Sequence, residues 1–168
     1  MTRRPLLLAL PTIAVLSAAI AGGAVSAMPR ADSHCTGKSI RTAVVSFTRA
    51  FDQGDEESLE ALFAPAPEFQ WYTTPGPGRR VAKGARGRAS LVGYFQARHA
   101  KQDNLDLTSF SFNGNSPHWG NFSFTMRHSA SDYIGGKAFP QGGKGAAVCD
   151  SEGVRFIVFT FGEPGRRH

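Results

Sequence analysis

Phe47-Thr48-Arg49-Ala50-Phe51-Asp52-Gln53-Gly54-Asp55-Glu56-Glu57-Ser58-Leu59-Glu60-Ala61-Leu62-Phe63-Ala64-Pro65 is the stretch that decides the fold. Upstream of it, Ile40 and Val44 extend the spacing of Phe47 and Phe51 into a helical stripe, with Ala43 and Ala50 beside it. Gly54 stops that helix, because glycine takes the left-handed C′ conformation without a Cβ clash, and Asp55 is placed to cap the next one. The second helix turns Leu59, Leu62 and Phe63 inward, and Pro65 and Pro67 end it. Two helices joined by a Gly-Asp turn make the first unit.

Downstream, Glu68 to Thr74 is aromatic and β-rich, and Pro75-Gly76-Pro77-Gly78 breaks it. Arg79 to Arg88 is basic and glycine-rich, a loop with a short strand at most. Ser90 to Lys101 predicts a third helix with Leu91, Phe95 and His99 on one stripe and Tyr94 and Arg98 adjoining. Leu105 to Asn113 changes the phase of its alternation near Thr108-Ser109, which predicts a β-bulge. Asn121 to His128 alternates cleanly, with Phe122, Phe124, Met126 and His128 on one face. Ser129 to Gly143 is polar and glycine-containing and is expected to be a loop anchored by Tyr133, Ile134 and Phe139. Lys144–Cys149 and Val154–Phe161 form a hairpin around Asp150-Ser151-Glu152-Gly153, and the second strand is apolar on both faces, hence central. Helices first and strands last make the class α+β with a mainly antiparallel sheet.

Working back to the N-terminus, Arg3 and Arg4 precede an apolar run from Leu6 to Ala21 and the small residues Val25-Ser26-Ala27. This order is that of a cleavable signal peptide, with cleavage after Ala27. The expected organisation is a signal peptide over 1–27, an exposed leader over 28–38, one domain over 39–162 and a basic tail over 163–168. Cleavage leaves no stable membrane insertion, and the expected location is secreted or cell-surface. Arg3 and Arg4 account for two of the formal +6 charges, and Arg166-Arg167 for two more. An exported chain rarely meets nucleic acid, so the charge points to solubility or an anionic cell surface and no nucleic-acid partner is expected. Aromatic residues are 11% of the chain, which excludes a disordered protein and supplies a real core. Cys35 and Cys149 are its two cysteines and are expected to pair in an oxidising compartment, closing a loop of 114 residues. Such a bridge is worth about 4–5 kcal/mol in the chain-entropy model.

The run Phe47 to Asp55, the pattern Leu59-x-x-Leu62-Phe63-Ala64-Pro65, the strand Phe69-Gln70-Trp71-Tyr72 and Gly87-Arg88-x-x-Leu91-x-x-Tyr94-Phe95 together resemble nuclear transport factor 2-like domains, in particular the SnoaL-like branch. The resemblance covers Ile40 to Phe161. It implies a cone-shaped α+β fold, a curved sheet wrapped around the N-terminal helices and enclosing a pocket. It also implies a function chosen among isomerases, dehydratases, polyketide cyclases and ligand- or partner-binding domains, since fold alone does not select one.

The residues expected to line that pocket are Phe47, Phe51, Trp71, Tyr72, Phe95, Phe124 and Met126. The expected role is binding a small apolar or amphipathic molecule, or self-association as a homodimer through the sheet. The competing role is an enzyme of dehydratase, isomerase or cyclase type, for which His99, His128 and Tyr72 are the candidate acid–base groups, imidazole titrating near neutrality. Steroid isomerase chemistry in related folds needs a carboxylate base on the first strand and an oxyanion donor. Here that strand carries none beyond Glu68 at its edge, and Phe47 or Phe51 stands where helix 1 would need a Tyr. Asp52 and Asp55 sit at a helix junction and are expected to cap, while Arg98, Arg127 and the basic run 79–88 are expected to be solvated. No phosphate loop of the Gly-x-x-x-x-Gly-Lys type is present, His118 and His128 lack partners at metal-ligand spacing, and neither a cofactor nor a metal is expected.

Overall fold

A computed structural model describes residues 34–65, 69–75, 83–85, 87–131 and 137–163. The first helix, α1, spans Gly37–Gln53 and starts from a reciprocal capping box, in which Thr36 and Ser39 satisfy each other's backbone N–H groups. Its stripe Ile40, Ala43, Val44, Phe47, Ala50, Phe51 is buried, and it ends at Gly54, whose φ of 66° is the left-handed cap the sequence demanded. Helix α2 spans Glu56–Ala61, with the Asp55 carboxylate accepting from the Ser58 N–H at 3.1 Å and from the Ser58 hydroxyl at 2.6 Å. The Ser58 hydroxyl and N–H hold the Asp55 carboxyl below its ordinary pKa.

Strand β1 spans Gln70–Pro75, β2 Lys83–Ala85, and helix α3 Arg88–His99. Four longer strands follow: β3 over Asn104–Ser116, β4 over Trp119–Ser129, β5 over Phe139–Asp150 and β6 over Gly153–Glu163. They form one open six-stranded sheet in the order β2-β1-β6-β5-β4-β3. β1 and β6 run parallel and every other neighbouring pair is antiparallel. β6 is therefore interior to the sheet, as its two apolar faces required. The β3–β4 register shifts between Leu107 and Ser109, where the change of phase predicted a bulge.

One expectation needs correcting. The loop expected through Gly143 is strand from Phe139 onward. Glycines there do not loosen the chain; they make room for rings. A Cβ on Gly143 would collide with the Phe124 ring and the Thr160 carbonyl, and one on Gly145 with the Phe122 ring and the Val158 carbonyl. Phe122 and Phe124 of β4 thus lie flat against the neighbouring strand, a cross-strand aromatic-on-glycine arrangement. Tyr133, Ile134, the expected signal peptide over 1–27, residues 164–168 of the tail and half of the basic run 79–88 lie outside the described residues.

Cys35 and Cys149 form a disulfide that ties the start of α1 to the end of β5. Among the described residues, no helix is long and apolar enough to cross a membrane. The disulfide is compatible with an extracytoplasmic protein.

Candidate functional site

The residues expected to line a pocket come together, and they do so as a closed core. Phe47, Phe51, Trp71, Phe95, Phe124 and Met126 are all buried. The Phe47 ring lies 4.4 Å from that of Phe159, 5.7 Å from Trp71 and 5.8 Å from Phe51, while Trp71 stacks on Phe159 at 5.5 Å. Phe51 and Phe95 meet edge to face at 5.7 Å, the geometry that aromatic quadrupoles favour. Strand alternation turns Tyr72 to the face opposite Trp71, and it is half-buried there.

An opening exists at the edge of this core. A cleft of about 310 Å³ is lined by Trp71, Gly84, Ser90, Gly93, Tyr94 and Ala97. Ser90, Gly93, Tyr94 and Ala97 recur at helical spacing, so α3 presents one face of mostly small side chains to the β1–β2 pair. At Gly93 an added Cβ would meet nothing within 4 Å, so a side chain there would project into open space. A helix-interior glycine costs about 1 kcal/mol relative to alanine, a cost borne here with no backbone demand for it.

A second feature lies where the C-terminal ends of α1 and α3 meet the starts of β3 and the end of β4. His128 is fully buried, and its Nε2 faces Asp103 Oδ1 at 2.5 Å. The Arg98 Nε donates to the other oxygen of Asp103, with the Arg98 side chain only 11% exposed. Asp52, half-buried at the end of α1, accepts the Leu105 N–H at 2.8 Å. Burial raises the Asp52 carboxyl to a pKa of about 6, the nearby Asp103 and Asp106 carboxylates add to the rise, and the Leu105 N–H and His128 oppose it. The arrangement places a carboxyl able to exchange a proton near neutral pH beside a buried imidazole–carboxylate contact.

Two expectations are corrected by this cluster. Arg98 is not a free surface charge, and Asp52 does not cap a helix. Asp103 escaped sequence reasoning because it lies in the turn after Gln102, a residue at φ 52°, where no periodicity reports burial. A signal for His128 did exist: it is in phase with Phe122, Phe124 and Met126, and a buried imidazole requires a partner. The third candidate, His99, is exposed at the end of α3, where its ring packs over Gly54; a Cβ there would stand 2.8 Å from it. His99 therefore braces the α1–α2 turn, and Arg127 is exposed on the far face of β4. Among the described residues, no three or more His, Cys, Asp or Glu side chains gather closely enough to share one metal ion.

No protein-family model matches the chain. No curated protein matches it either. Solved structures do. A candidate aromatic ring hydroxylase from Novosphingobium aromaticivorans superposes with a TM-score of 0.61 at 15% identity, covering 76% of this chain and 90% of that one. A candidate dehydratase of the nuclear transport factor 2-like family from Streptomyces avermitilis gives 0.58 at 15% identity, covering 74% and 93%. A protein of unknown function with a cystatin-like fold from Nostoc punctiforme gives 0.59 at 14% identity, covering 74% and 88%. At such identities the likeness is one of architecture, and it agrees with the element order above: the chain has the cystatin-like, cone-type α+β fold of nuclear transport factor 2-like proteins.

Proposed function

We propose that this protein is exported and binds a small, flat, apolar or amphipathic molecule in the cleft between α3 and the β1–β2 pair. The observation that carries the reading is the combination of Trp71 and Tyr94 as walls with Gly84, Ser90, Gly93 and Ala97 as a floor of small residues. Its volume of about 310 Å³ falls at the lower end of ordinary ligand sites. An aromatic wall and an open helix face suit a planar ring that stacks on one side and keeps a polar edge in water. Export is supported by the charge and apolar order of residues 1–27, together with the disulfide. The test is a fluorescence titration with anilinonaphthalene sulfonate, an amphipathic aromatic probe. Saturable binding that is lost in Gly93→Leu, with the denaturation midpoint not lowered, supports the site. Equal binding by wild type and Gly93→Leu refutes it.

One observation favours a second reading, an enzyme of dehydratase, isomerase or cyclase type. That observation is the Asp52 carboxyl, raised to about 6 by burial beside the Asp103–His128 pair. Such a group serves as general acid or base at neutral pH, and two of the similar folds are candidate enzymes. A carbon-13 titration of the Asp52 carboxyl with a midpoint near 6 keeps this reading. A midpoint in the ordinary carboxylate range removes it.

A further inference from the structure

The two histidines that neither reading uses, His34 and His118, are far apart in sequence and meet beside the disulfide. Their ring centroids are 6.0 Å apart with the planes tilted by 49°, and both side chains are exposed. Sequence spacing had given His118 no ligand partner, because its neighbour arrives through the fold. The backbone under the pair is clamped from three sides. The Cys35 N–H, next to His34, donates to the Pro117 carbonyl at 2.5 Å, next to His118. The Cys149 N–H donates to the His118 carbonyl at 3.0 Å, and Cys149 is itself bonded to Cys35. The Ser39 hydroxyl holds the His34 carbonyl at 3.1 Å, and the His118 N–H donates to the Ser116 hydroxyl oxygen at 3.2 Å.

We infer that His34 and His118 form a chelating pair for a borderline divalent transition metal, with Cu²⁺ preferred over Ni²⁺ and Zn²⁺, and water completing the coordination. A metal-bound imidazole has its centroid about 3.2 Å from the ion, so two on one ion stand about 4.5 Å apart at a right angle and about 5 Å apart at the tetrahedral angle. The two exposed rings stand 6.0 Å apart and reach that span by side-chain rotation. Imidazole nitrogens suit Cu²⁺, Ni²⁺ and Zn²⁺ and not Ca²⁺ or Mg²⁺, and affinities of a given nitrogen site peak at Cu²⁺. The clamp supplies what a two-ligand surface site otherwise lacks, since little backbone freedom is left to be lost on binding. The pair is remote from the α3 cleft in its residues and elements, so it stands whether or not that cleft binds a ligand.

The experiment is calorimetric titration of the untagged, disulfide-bonded chain with copper, nickel and zinc salts. The expected result is one ion per chain, tightest for copper, and at least a tenfold loss of affinity in His34→Ala and equally in His118→Ala. His168→Ala, in the tail, leaves binding unchanged. A Cys35→Ser/Cys149→Ser chain binds more weakly if it folds; if it does not fold, the two histidine variants alone decide, since both positions are exposed and keep the bridge. Absence of saturable binding, or a loss in one histidine variant but not the other, overturns the inference.

Discussion

Phe51 and Asp52 are neighbours on α1 and belong to opposite kinds of interior. Phe51 enters a field of rings built from Phe47, Phe63, Trp71, Phe95, Phe156 and Phe159, where attraction is non-directional and scales with buried area. One residue on, Asp52 turns to the polar end, where Asp103, His128, Arg98 and the Leu105 N–H each have one permitted partner geometry. The first region is insensitive to pH and sensitive to volume. The second tolerates little change of charge, because its buried charged groups face one another across short distances. The same helix thus supplies bulk stability from one face and titratable chemistry from its last turn.

Several substitutions sharpen or break that contrast. The largest loss is expected for Phe47→Ala, a fully buried ring, at about 3–5 kcal/mol by chemical denaturation, independent of pH. Phe51→Ala belongs to the same class, its ring being equally enclosed. Asp103→Ala should cost about 3 kcal/mol at neutral pH, since it removes a buried carboxylate that faces a buried imidazole and a nearly buried guanidinium. If Phe47→Ala cost less than Asp103→Ala, the rings would not be the main source of stability.

The pH dependence tests the polar end separately. Asp52 binds its proton more tightly in the folded chain, with a pKa of about 6 against 3.8. Its contribution is therefore fully present below the unfolded value and is lost as pH rises from about 4 through about 6. Asp52→Asn, which keeps an oxygen for the Leu105 N–H, should abolish that fall and exceed the wild type in stability above pH 6, with little difference at pH 4. Denaturant midpoints of both chains across that range check the sign; a wild type that gains stability over the same interval contradicts it. The smallest effects are local. Gly93→Ala should stabilise by about 1 kcal/mol through helix propensity alone. Asp55→Ala should lower the denaturation midpoint slightly through loss of its cap.

The fold was legible wherever periodicity and turn chemistry spoke together. Gly54-Asp55, the bulge beyond Leu107 and the β5–β6 hairpin each follow from local rules that the tertiary structure did not override. β5 was only half legible, because glycine signals both loop and ring-accommodating strand, and only the cross-strand neighbours Phe122 and Phe124 distinguish them. The aromatic set was legible as a set, since its members share faces of α1, β1, α3 and β4; how tightly their rings close on each other depends on distances no spacing encodes. The polar cluster was least legible. Asp52, Arg98, Asp103 and His128 come from four elements, and each alone has an ordinary surface or capping explanation. The His34–His118 pair is of the same kind, made by a disulfide and a strand turn.

The central claim is that a ligand meets this protein at the small-residue face of α3 and not among the packed rings. Amide chemical-shift mapping with anilinonaphthalene sulfonate tests it directly. The account predicts saturable shifts at Gly84, Ser90, Gly93 and Ala97 and at the Trp71 indole, the residues that line the cleft. Saturable shifts centred instead on Phe47, Phe51, Phe124 and Met126 would contradict it, because the probe would then have opened the core.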